Sequence, residues 1–121
     1  MVNTFGLTHL AMAVQDVERT YSFYSSVFGL AAYFREQGRI HAKTPGQQDV
    51  ITFDQTAPFP GQMRGIKHFG FRLQAPEDIE VALVEVVNAG GRVLRRGDFG
   101  PGFPYAYVAD PDGYEVEIWF E

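Results

Sequence analysis

Two segments of the chain alternate apolar side chains with small or polar ones, as half-buried β-strands do. Residues 6–15 read GLTHLAMAVQ and residues 65–74 read GIKHFGFRLQ. Successive side chains of a strand point to opposite faces, so the first segment sets His9 opposite a row of apolar residues, and the second does the same with His68. The periodicity predicts two strands, over residues 5–14 and 66–73.

A helical pattern follows each predicted strand and stops at glycine. Asp16 is a good N-terminal cap for the first helix, and Gly29 suits the left-handed position that ends it. Pro76 suits the first turn of the second helix, which Gly90 and Gly91 end. The predicted buried faces are Val17, Tyr21, Tyr24 and Phe28 in the first helix and Ile79, Leu83, Val86 and Val87 in the second.

The order of elements is the same in both halves of the chain. Three short β-like runs follow each helix, and Asp110-Pro111-Asp112-Gly113 has the signature of a type I turn. The predicted runs are 30–35, 39–43 and 50–53 in the first half and 92–94, 105–109 and 114–120 in the second. We therefore predict an α+β fold, a single domain of two βαβββ modules over residues 1–54 and 66–121, with a linker loop over 55–65.

The composition excludes several kinds of reactive site and partner, although it says little more about the fold. The chain has 121 residues, enough for about one domain, with three histidines and no cysteine. The lack of thiols excludes a disulfide scaffold, an iron–sulfur centre and a cysteine nucleophile. A net charge of −5 argues against a nucleic-acid partner, and no apolar run is long enough for a membrane helix. With no signal-peptide pattern at the N-terminus, we expect a soluble cytoplasmic protein without a membrane partner.

The strand alternation sets three metal-ligand side chains on equivalent faces. His9 and His68 are 59 residues apart, at matching positions of the repeat, and each has small neighbours on its face. Glu117 lies on the face of the last strand opposite its apolar residues. Two imidazoles and one carboxylate form the facial triad that binds a divalent metal and leaves coordination positions free. A lone strand histidine is more often structural, so the hypothesis depends on the joint pattern.

The sequence resembles the vicinal oxygen chelate superfamily, the group of glyoxalases, bleomycin-resistance proteins and extradiol dioxygenases. The resemblance covers the whole chain and is carried by LTHLAMAVQDVERTYSFYSSVFGL, IKHFGFRL and YVADPDGYEVEIW. It implies a curved mixed β-sheet with helices on its convex side, and a metal held by His9, His68 and Glu117. It also implies a homodimer, whose sites are often completed across the interface. The metal would be Fe, Mn, Ni, Co or Zn, because the same ligands hold all of these.

The chain departs from individual branches of the family. Glyoxalase-type members have a fourth ligand, glutamate or glutamine, where Thr52 stands here, unless the register shifts to Gln48, Asp54 or Gln55. A neutral hydroxyl is no base near pH 7, which argues against orthodox lactoylglutathione lyase activity. Extradiol dioxygenases have a tyrosine ten residues before the ligand glutamate, and Tyr107 stands there.

Two further branch features are missing. Dioxygenases have an acid–base histidine about fourteen residues before the second ligand histidine, where this chain has Phe53 and Asp54. His41 is the spare imidazole, and we expect it to be solvated or to line a pocket. Fosfomycin-resistance members have a threonine where Ala11 stands, and a basic tail where this chain stops at Glu121, so that branch is not expected.

Two Pro/Gly-rich segments, 54–65 and 96–104, each follow a strand and are predicted to form either a lid over the site or ordinary connectors. The predicted walls of a substrate pocket are Thr52, Phe59, Phe99, Phe103, Tyr105 and Trp119.

These patterns predict a metal-dependent enzyme that chelates adjacent oxygens of a small-molecule substrate, as a lyase or isomerase or as an oxygenase. Tyr107 and Glu117 are the catalytic candidates. The alternative is a metal-free protein that binds a drug or an aromatic compound, as bleomycin-resistance members do. A third interpretation is a metal-binding module without catalysis.

Overall fold

The structure is a computed structural model that describes all of residues 1–121. The elements are β1 (His9–Ala13), α1 (Val17–Phe28), β2 (Ala31–Glu36), β3 (Arg39–Lys43), β4 (Val50–Asp54), β5 (Phe69–Arg72), α2 (Asp78–Asn88), β6 (Arg92–Asp98), β7 (Pro104–Ala109) and β8 (Glu115–Trp119). The N-terminal sheet has the strand order β1-β4-β3-β2, and the C-terminal sheet has the order β5-β8-β7-β6. The predicted α+β fold of two βαβββ modules is confirmed. Neither helix is long and apolar enough to cross a membrane.

Helix α1 begins and ends as its sequence predicts. The Asp16 carboxylate accepts hydrogen bonds from the backbone N–H groups of Glu18 and Arg19, at 3.0 and 3.1 Å. Gly29 adopts the left-handed conformation, with φ of 72°, and ends the helix. Tyr24 is completely buried, so the helix turns an aromatic face toward the core.

Helix α2 confirms three of its four predicted core positions. Ile79, Leu83 and Val86 are buried, whereas the Val87 residue is 59% exposed. The assignment of Val87 to the buried face is wrong, because one step along a helix with 3.6 residues per turn carries it from the core side to the outer side. No side chain caps this helix at Glu77, unlike the first one.

Both histidine-bearing strands are shorter than predicted. β1 begins at His9 rather than at residue 5, because its partner β4 begins opposite it, at Val50. β5 begins at Phe69, opposite Val116 of β8, rather than at residue 66. His9 is therefore the first residue of β1, and His68 immediately precedes β5.

Strand β6 is longer than predicted. It runs to Asp98, which pairs with Pro104 across the hairpin. The predicted 96–104 loop is therefore reduced to residues 99–103. Gly97 and Asp98 have the composition of a turn, and only the pairing across the hairpin makes them extended.

The two sheets have matching registers. In the N-terminal sheet, Ala11 of β1 pairs with Thr52 of β4. In the C-terminal sheet, Gly70 of β5 pairs with Glu117 of β8. Ala11 and Gly70 are each the second residue after a repeat histidine, so Thr52 is the counterpart of Glu117.

The next strand extends the match. Thr52 pairs with His41, and Glu117 pairs with Tyr107, which makes His41 the counterpart of Tyr107. A register shift then interrupts the outermost strand of both sheets, at Ala32/Phe34 in β2 and at Val93/Arg95 in β6. The duplication inferred from the sequence thus extends to the bulges.

The two modules share one core. Tyr24 stacks on Phe53 of its own module at 5.2 Å and on Phe69 of the other module at 6.4 Å, measured between ring centroids. The rings of Phe28 and Phe71 stack at 3.9 Å. Helix α1 therefore contacts both sheets.

The Asp110–Gly113 turn of the second module binds the first module through buried carboxylates. Asp112 accepts hydrogen bonds from Arg19 at 3.0 Å and from the Thr20 hydroxyl at 2.9 Å. Asp110 accepts one from the Tyr24 hydroxyl at 2.8 Å. Burial raises the pKa of Asp110, an effect that its hydrogen bonds partly offset.

Candidate metal and ligand site

Each sheet has one face packed against the helices and one face turned away from them, here called its open face. His68 and Glu117 lie side by side on the open face of the C-terminal sheet. Nε2 of His68 is 3.2 Å from Oε2 of Glu117, and the side chains are 29% and 15% exposed. Nδ1 of His68 is buried without a hydrogen-bond partner, and Oε2 of Glu115 is 3.9 Å from it. Two ligand atoms therefore converge, with a second carboxylate behind the imidazole.

This donor set fits a divalent metal ion. A buried polar atom without a partner costs roughly 1–3 kcal/mol, so the unpartnered Nδ1 calls for an explanation. With the proton on Nδ1, which has the Glu115 carboxylate 3.9 Å away, the Nε2 lone pair is free to bind a metal beside Glu117. Metal-binding histidines commonly have such a carboxylate behind them, which fixes the tautomer.

Tyr107 borders the pair. Its ring packs edge-on against His68 with centroids 5.0 Å apart, and the Arg95 guanidinium lies 4.0 Å from the Tyr107 centroid. Arg95 also forms a 2.8 Å ion pair with Glu115. Partial burial and the negative charge of Glu117 raise the pKa of the Tyr107 hydroxyl. The phenol therefore stays protonated near neutral pH and can donate a hydrogen bond.

His9 lies apart from this pair, on the open face of the N-terminal sheet. It is exposed, and its Nδ1 is 3.3 Å from Oγ1 of Thr8. It lines a pocket of about 950 Å³ together with Thr52 and His41. Within one chain, no group of three His, Asp or Glu side chains is arranged to hold a metal ion. The structure thus brings two of the three predicted ligands together and sets the third on another sheet.

Three of the predicted aromatic wall residues lie on the open face of the C-terminal sheet. Phe99 stacks on Tyr105 at 4.6 Å, and Tyr105 packs edge-on against Tyr107 at 5.7 Å. Trp119 pairs with Tyr105 across the ladder and shares the face of Glu117. These rings form an aromatic wall beside the His68–Glu117 pair.

The other two predicted wall residues lie elsewhere. Phe103 stacks loosely on Phe120 at 6.3 Å, and Phe120 follows Trp119 and so points to the other side of the sheet. Phe59 belongs to the linker loop, where the Arg64 guanidinium lies 4.2 Å from its ring centroid. It lines a separate pocket of about 330 Å³ beside β1.

Sequence reasoning gives no role to Glu115, Tyr33 or Phe34, and it considers Arg95 only as a cation beside the 96–104 segment that could bind an anionic substrate. Glu115 shares the strand face of Glu117, and that parity was visible in the sequence. Arg95 and Phe34 were not recognisable, because the bulges in β6 and β2 break the alternation from which faces are assigned.

Comparison with known proteins decides the family. Residues 6–118 match the family model described as the Glyoxalase/Bleomycin resistance protein/Dioxygenase superfamily. The chain belongs to this superfamily. The match spans both modules, as the resemblance of the whole sequence predicts.

Two curated relatives within the superfamily have different activities. Glutathione transferase FosA of Serratia marcescens is 25% identical over 114 residues, covering 93% of this chain and 78% of that protein. Manganese-dependent 2,3-dihydroxybiphenyl 1,2-dioxygenase of Geobacillus genomosp. 3 is 25% identical over 116 residues, covering 93% of this chain. The chain spans 36% of the length of that dioxygenase.

Solved structures show the same fold. A glyoxalase-related enzyme from Fulvimarina pelagi has a TM-score of 0.79 at 25% identity, with 98% of this chain and 89% of that one covered. Lactoylglutathione lyase from Agrobacterium tumefaciens has a TM-score of 0.72 at 18% identity, with 97% and 94% covered.

Proposed function

We propose that the protein is a metal-dependent enzyme of this superfamily that acts on a small molecule with adjacent oxygens. The observation that carries the proposal is the 3.2 Å approach of His68 Nε2 to Glu117 Oε2, with the unpartnered Nδ1 turned toward Glu115. An imidazole and a carboxylate suit Fe, Mn, Ni, Co or Zn. These two side chains would hold the metal together with His9.

His9 would come from a second copy of the chain. It occupies in the first module the position that His68 occupies in the second, yet one chain does not group the three ligands. In a two-fold dimer each protomer contributes its His9 to the site of the partner, so two equivalent sites form. A homodimer with His9 of one protomer beside His68 and Glu117 of the other accounts for both facts.

The bound metal would act as a Lewis acid that stabilises negative charge developing on substrate oxygens. Tyr107 would donate a hydrogen bond from its protonated hydroxyl to a substrate oxygen next to Glu117. Arg95 would hold Glu115 behind His68, and thus keep the imidazole in the tautomer that ligates.

The reaction class depends on Thr52. This residue stands where Glu117 stands in the other half, but its hydroxyl cannot act as a base near neutral pH. That argues against a lyase or isomerase that needs a carboxylate base at this position. Tyr107 supports an oxygenase, which would have to work without the acid–base histidine that Phe53 and Asp54 replace. Oxygen consumption with a panel of catechols distinguishes the two, and no uptake with any of them would count against the oxygenase.

A second candidate function is metal-free binding of an aromatic compound. The observation that favours it is the pocket of the N-terminal sheet, which Phe5 and Tyr33 line. Metal content separates this candidate from the enzyme.

The first experiment measures metal by elemental analysis of protein purified without a metal-affinity tag. We expect metal in the wild type, none in the double variant His9→Ala/His68→Ala, and wild-type content in His41→Ala. Equal metal in the wild type and the double variant would overturn the proposed ligands.

The second experiment tests whether the site is shared between protomers. His9→Ala and His68→Ala proteins are each metal-free, but a mixed dimer has one site with all three native ligands. Random exchange of protomers should therefore restore about a quarter of the wild-type metal content. If all three ligands came from one chain, mixing would restore nothing.

A further inference from the structure

The open face of the N-terminal sheet has a pocket suited to a particular class of ligand. Its volume of about 950 Å³ lies within the range of roughly 300–1,000 Å³ that small-molecule sites occupy. Its lining contains His9, His41 and Gln48 and no carboxylate. His9, a proposed metal ligand, and His41, which has no role in the proposed mechanism, thus face the same space.

A bulge in β2 sets two aromatic rings around His41. The register shifts between Ala32 and Phe34, so the alternation of faces is interrupted there. As a result two consecutive side chains contact one imidazole, with ring centroids 6.0 Å away for Tyr33 and 4.9 Å away for Phe34. The two residues are 54% and 44% exposed, so these rings are open to a ligand.

The same face has an unpaired cation. Lys43 is the second residue after His41 on β3, and its ammonium lies 5.8 Å from the Tyr33 ring centroid. It forms no ion pair, whereas Arg39 of the same strand is paired with Glu36 and Asp54. A carboxylate entering here would therefore find a free positive charge.

The nearby acids are already engaged. Asp49 accepts hydrogen bonds from the backbone N–H and the hydroxyl of Thr44, at 2.9 and 2.7 Å. Asp54 accepts two from Thr56, which lowers the pKa of its carboxyl. Neither carboxylate lines the pocket, although the chain as a whole has a net charge of −5.

The position in the C-terminal sheet that corresponds to Lys43 is Ala109, the second residue after Tyr107 on β7, so no cation stands there. Arg95 lies over Tyr107, the counterpart of His41, but its guanidinium is paired with Glu115 at 2.8 Å. The two open faces have thus diverged. The C-terminal face has carboxylates beside His68, and the N-terminal face has aromatic rings with an uncompensated positive charge.

From this arrangement we propose that the N-terminal pocket binds an aromatic carboxylate. The carboxylate is held by the Lys43 ammonium and by an N–H of His41, which an imidazole provides in either protonation state. The ring packs on Tyr33 and Phe34. One part of this inference rests on the proposed function: if the protein is the metalloenzyme, the bound ligand is its substrate, and the adjacent oxygens point toward His9.

The test uses metal-free, chelator-treated full-length protein and isothermal titration calorimetry. The probes are 2,3-dihydroxybenzoate, catechol, which is the same ring without the acid, and cyclohexanecarboxylate, which has the acid without the aromatic ring. We expect 2,3-dihydroxybenzoate to bind at least about tenfold more tightly than either of the others, the size of one charge-assisted hydrogen bond.

Three variants locate the interaction. Lys43→Met and His41→Leu should each remove most of the preference for the acid, because neither new side chain has a charge or an N–H donor. Arg35→Met is the matched control, because Arg35 lies on the neighbouring strand β2 but on the helix side, paired with Glu18, and its loss changes the net charge equally. It should leave the preference intact. Thermal unfolding verifies that all three are folded.

The outcomes separate this inference from the proposed metalloenzyme. Equal affinity for 2,3-dihydroxybenzoate and catechol, or a Lys43→Met effect no larger than that of Arg35→Met, would overturn the aromatic carboxylate site. Metal content is measured in the same samples. A preference for the acid in protein that never holds metal keeps this inference and refutes the metalloenzyme.

Discussion

Gly61 shows how a single residue fixes the linker loop against the second module. Its φ is +83°, and a Cβ at this position would lie 2.4 Å from the backbone oxygen of Asp112. Real Cβ atoms do not approach backbone oxygens so closely, and backbone cannot move aside as a flexible side chain can. The linker thus contacts the same turn that binds helix α1.

We expect Gly61→Ala to destabilise the protein more than Gly46→Ala. Both glycines have a left-handed φ, 83° and 80°, but a Cβ at Gly46 meets nothing within 4 Å. The two variants share the conformational cost of about 1–2 kcal/mol, and the clash at Gly61 adds about 1–3 kcal/mol. Urea denaturation measures the difference, and equal losses would show that the linker moves away from the turn at little cost.

At the scale of elements, the two helices begin in different ways. Asp16 caps α1 with two hydrogen bonds to free backbone N–H groups, whereas Glu77 at the start of α2 makes none. The first turn of a helix leaves such groups unsatisfied, so the cap contributes to the stability of α1 only. α2 depends correspondingly more on the packing of its buried face.

The variant Asp16→Ala should therefore lose about 1 kcal/mol of unfolding free energy, and Asp16→Ser should recover most of it. Glu77→Ala is the control, with an expected change within about 0.5 kcal/mol. Denaturation midpoints of the three variants are compared at one pH. A loss from Glu77→Ala as large as that from Asp16→Ala would contradict the interpretation of the caps.

The elements that the sequence predicts well are those specified locally. The caps of α1 and the faces of β1 and β5 follow from residue type and alternation. The strand ends do not, because β1 and β5 begin where β4 and β8 reach them, and β6 continues to Asp98 only because Pro104 pairs with it. Val87 was misassigned because α2 also has apolar residues on its outer side, such as Val81 and Val84, which leave the edge of the buried face undefined in the sequence.

At the scale of the whole molecule, the Asp110–Gly113 turn joins the modules through carboxylates that are cut off from solvent. Asp110 accepts hydrogen bonds from the Tyr24 hydroxyl and from the backbone N–H groups of Asp112 and Tyr114. Its pKa is nevertheless raised, because burial outweighs these bonds. Folding therefore favours the protonated form of this group.

The stability difference between wild type and Asp110→Asn should depend on pH. A raised native pKa contributes stability that is fully present below the unfolded value, about 3.9 for aspartate, and that is lost as pH rises through the native pKa. The amide does not titrate. The advantage of wild type over Asp110→Asn should thus be largest in acid and shrink as pH rises. Denaturation at a series of pH values measures it, and a constant difference would contradict the assignment.

The sequence could nominate the residues of the candidate site, but it could not predict how they are arranged in space. Strand parity places His9, His68 and Glu117 on equivalent faces, and the repeat places His9 and His68 at equivalent positions. The sequence does not determine whether His9 joins His68 and Glu117 within one chain or across two copies. Two similar modules can associate in either way, so this depends on packing that strand parity does not specify. The bulges conceal Arg95 and Phe34 for a different reason, since they break the alternation itself.

The matching registers of the two sheets also bear on descent. A duplicated module begins with every position doubled, and each copy is then free to specialise because the other retains the original role. Here Thr52 of the first module is at the position equivalent to Glu117 of the second, and His41 is at the position equivalent to Tyr107. The same backbone position thus holds different side chains in the two halves, and substitution at such positions is a short evolutionary path by which one ancestral scaffold yields sites with different ligands and different reactions.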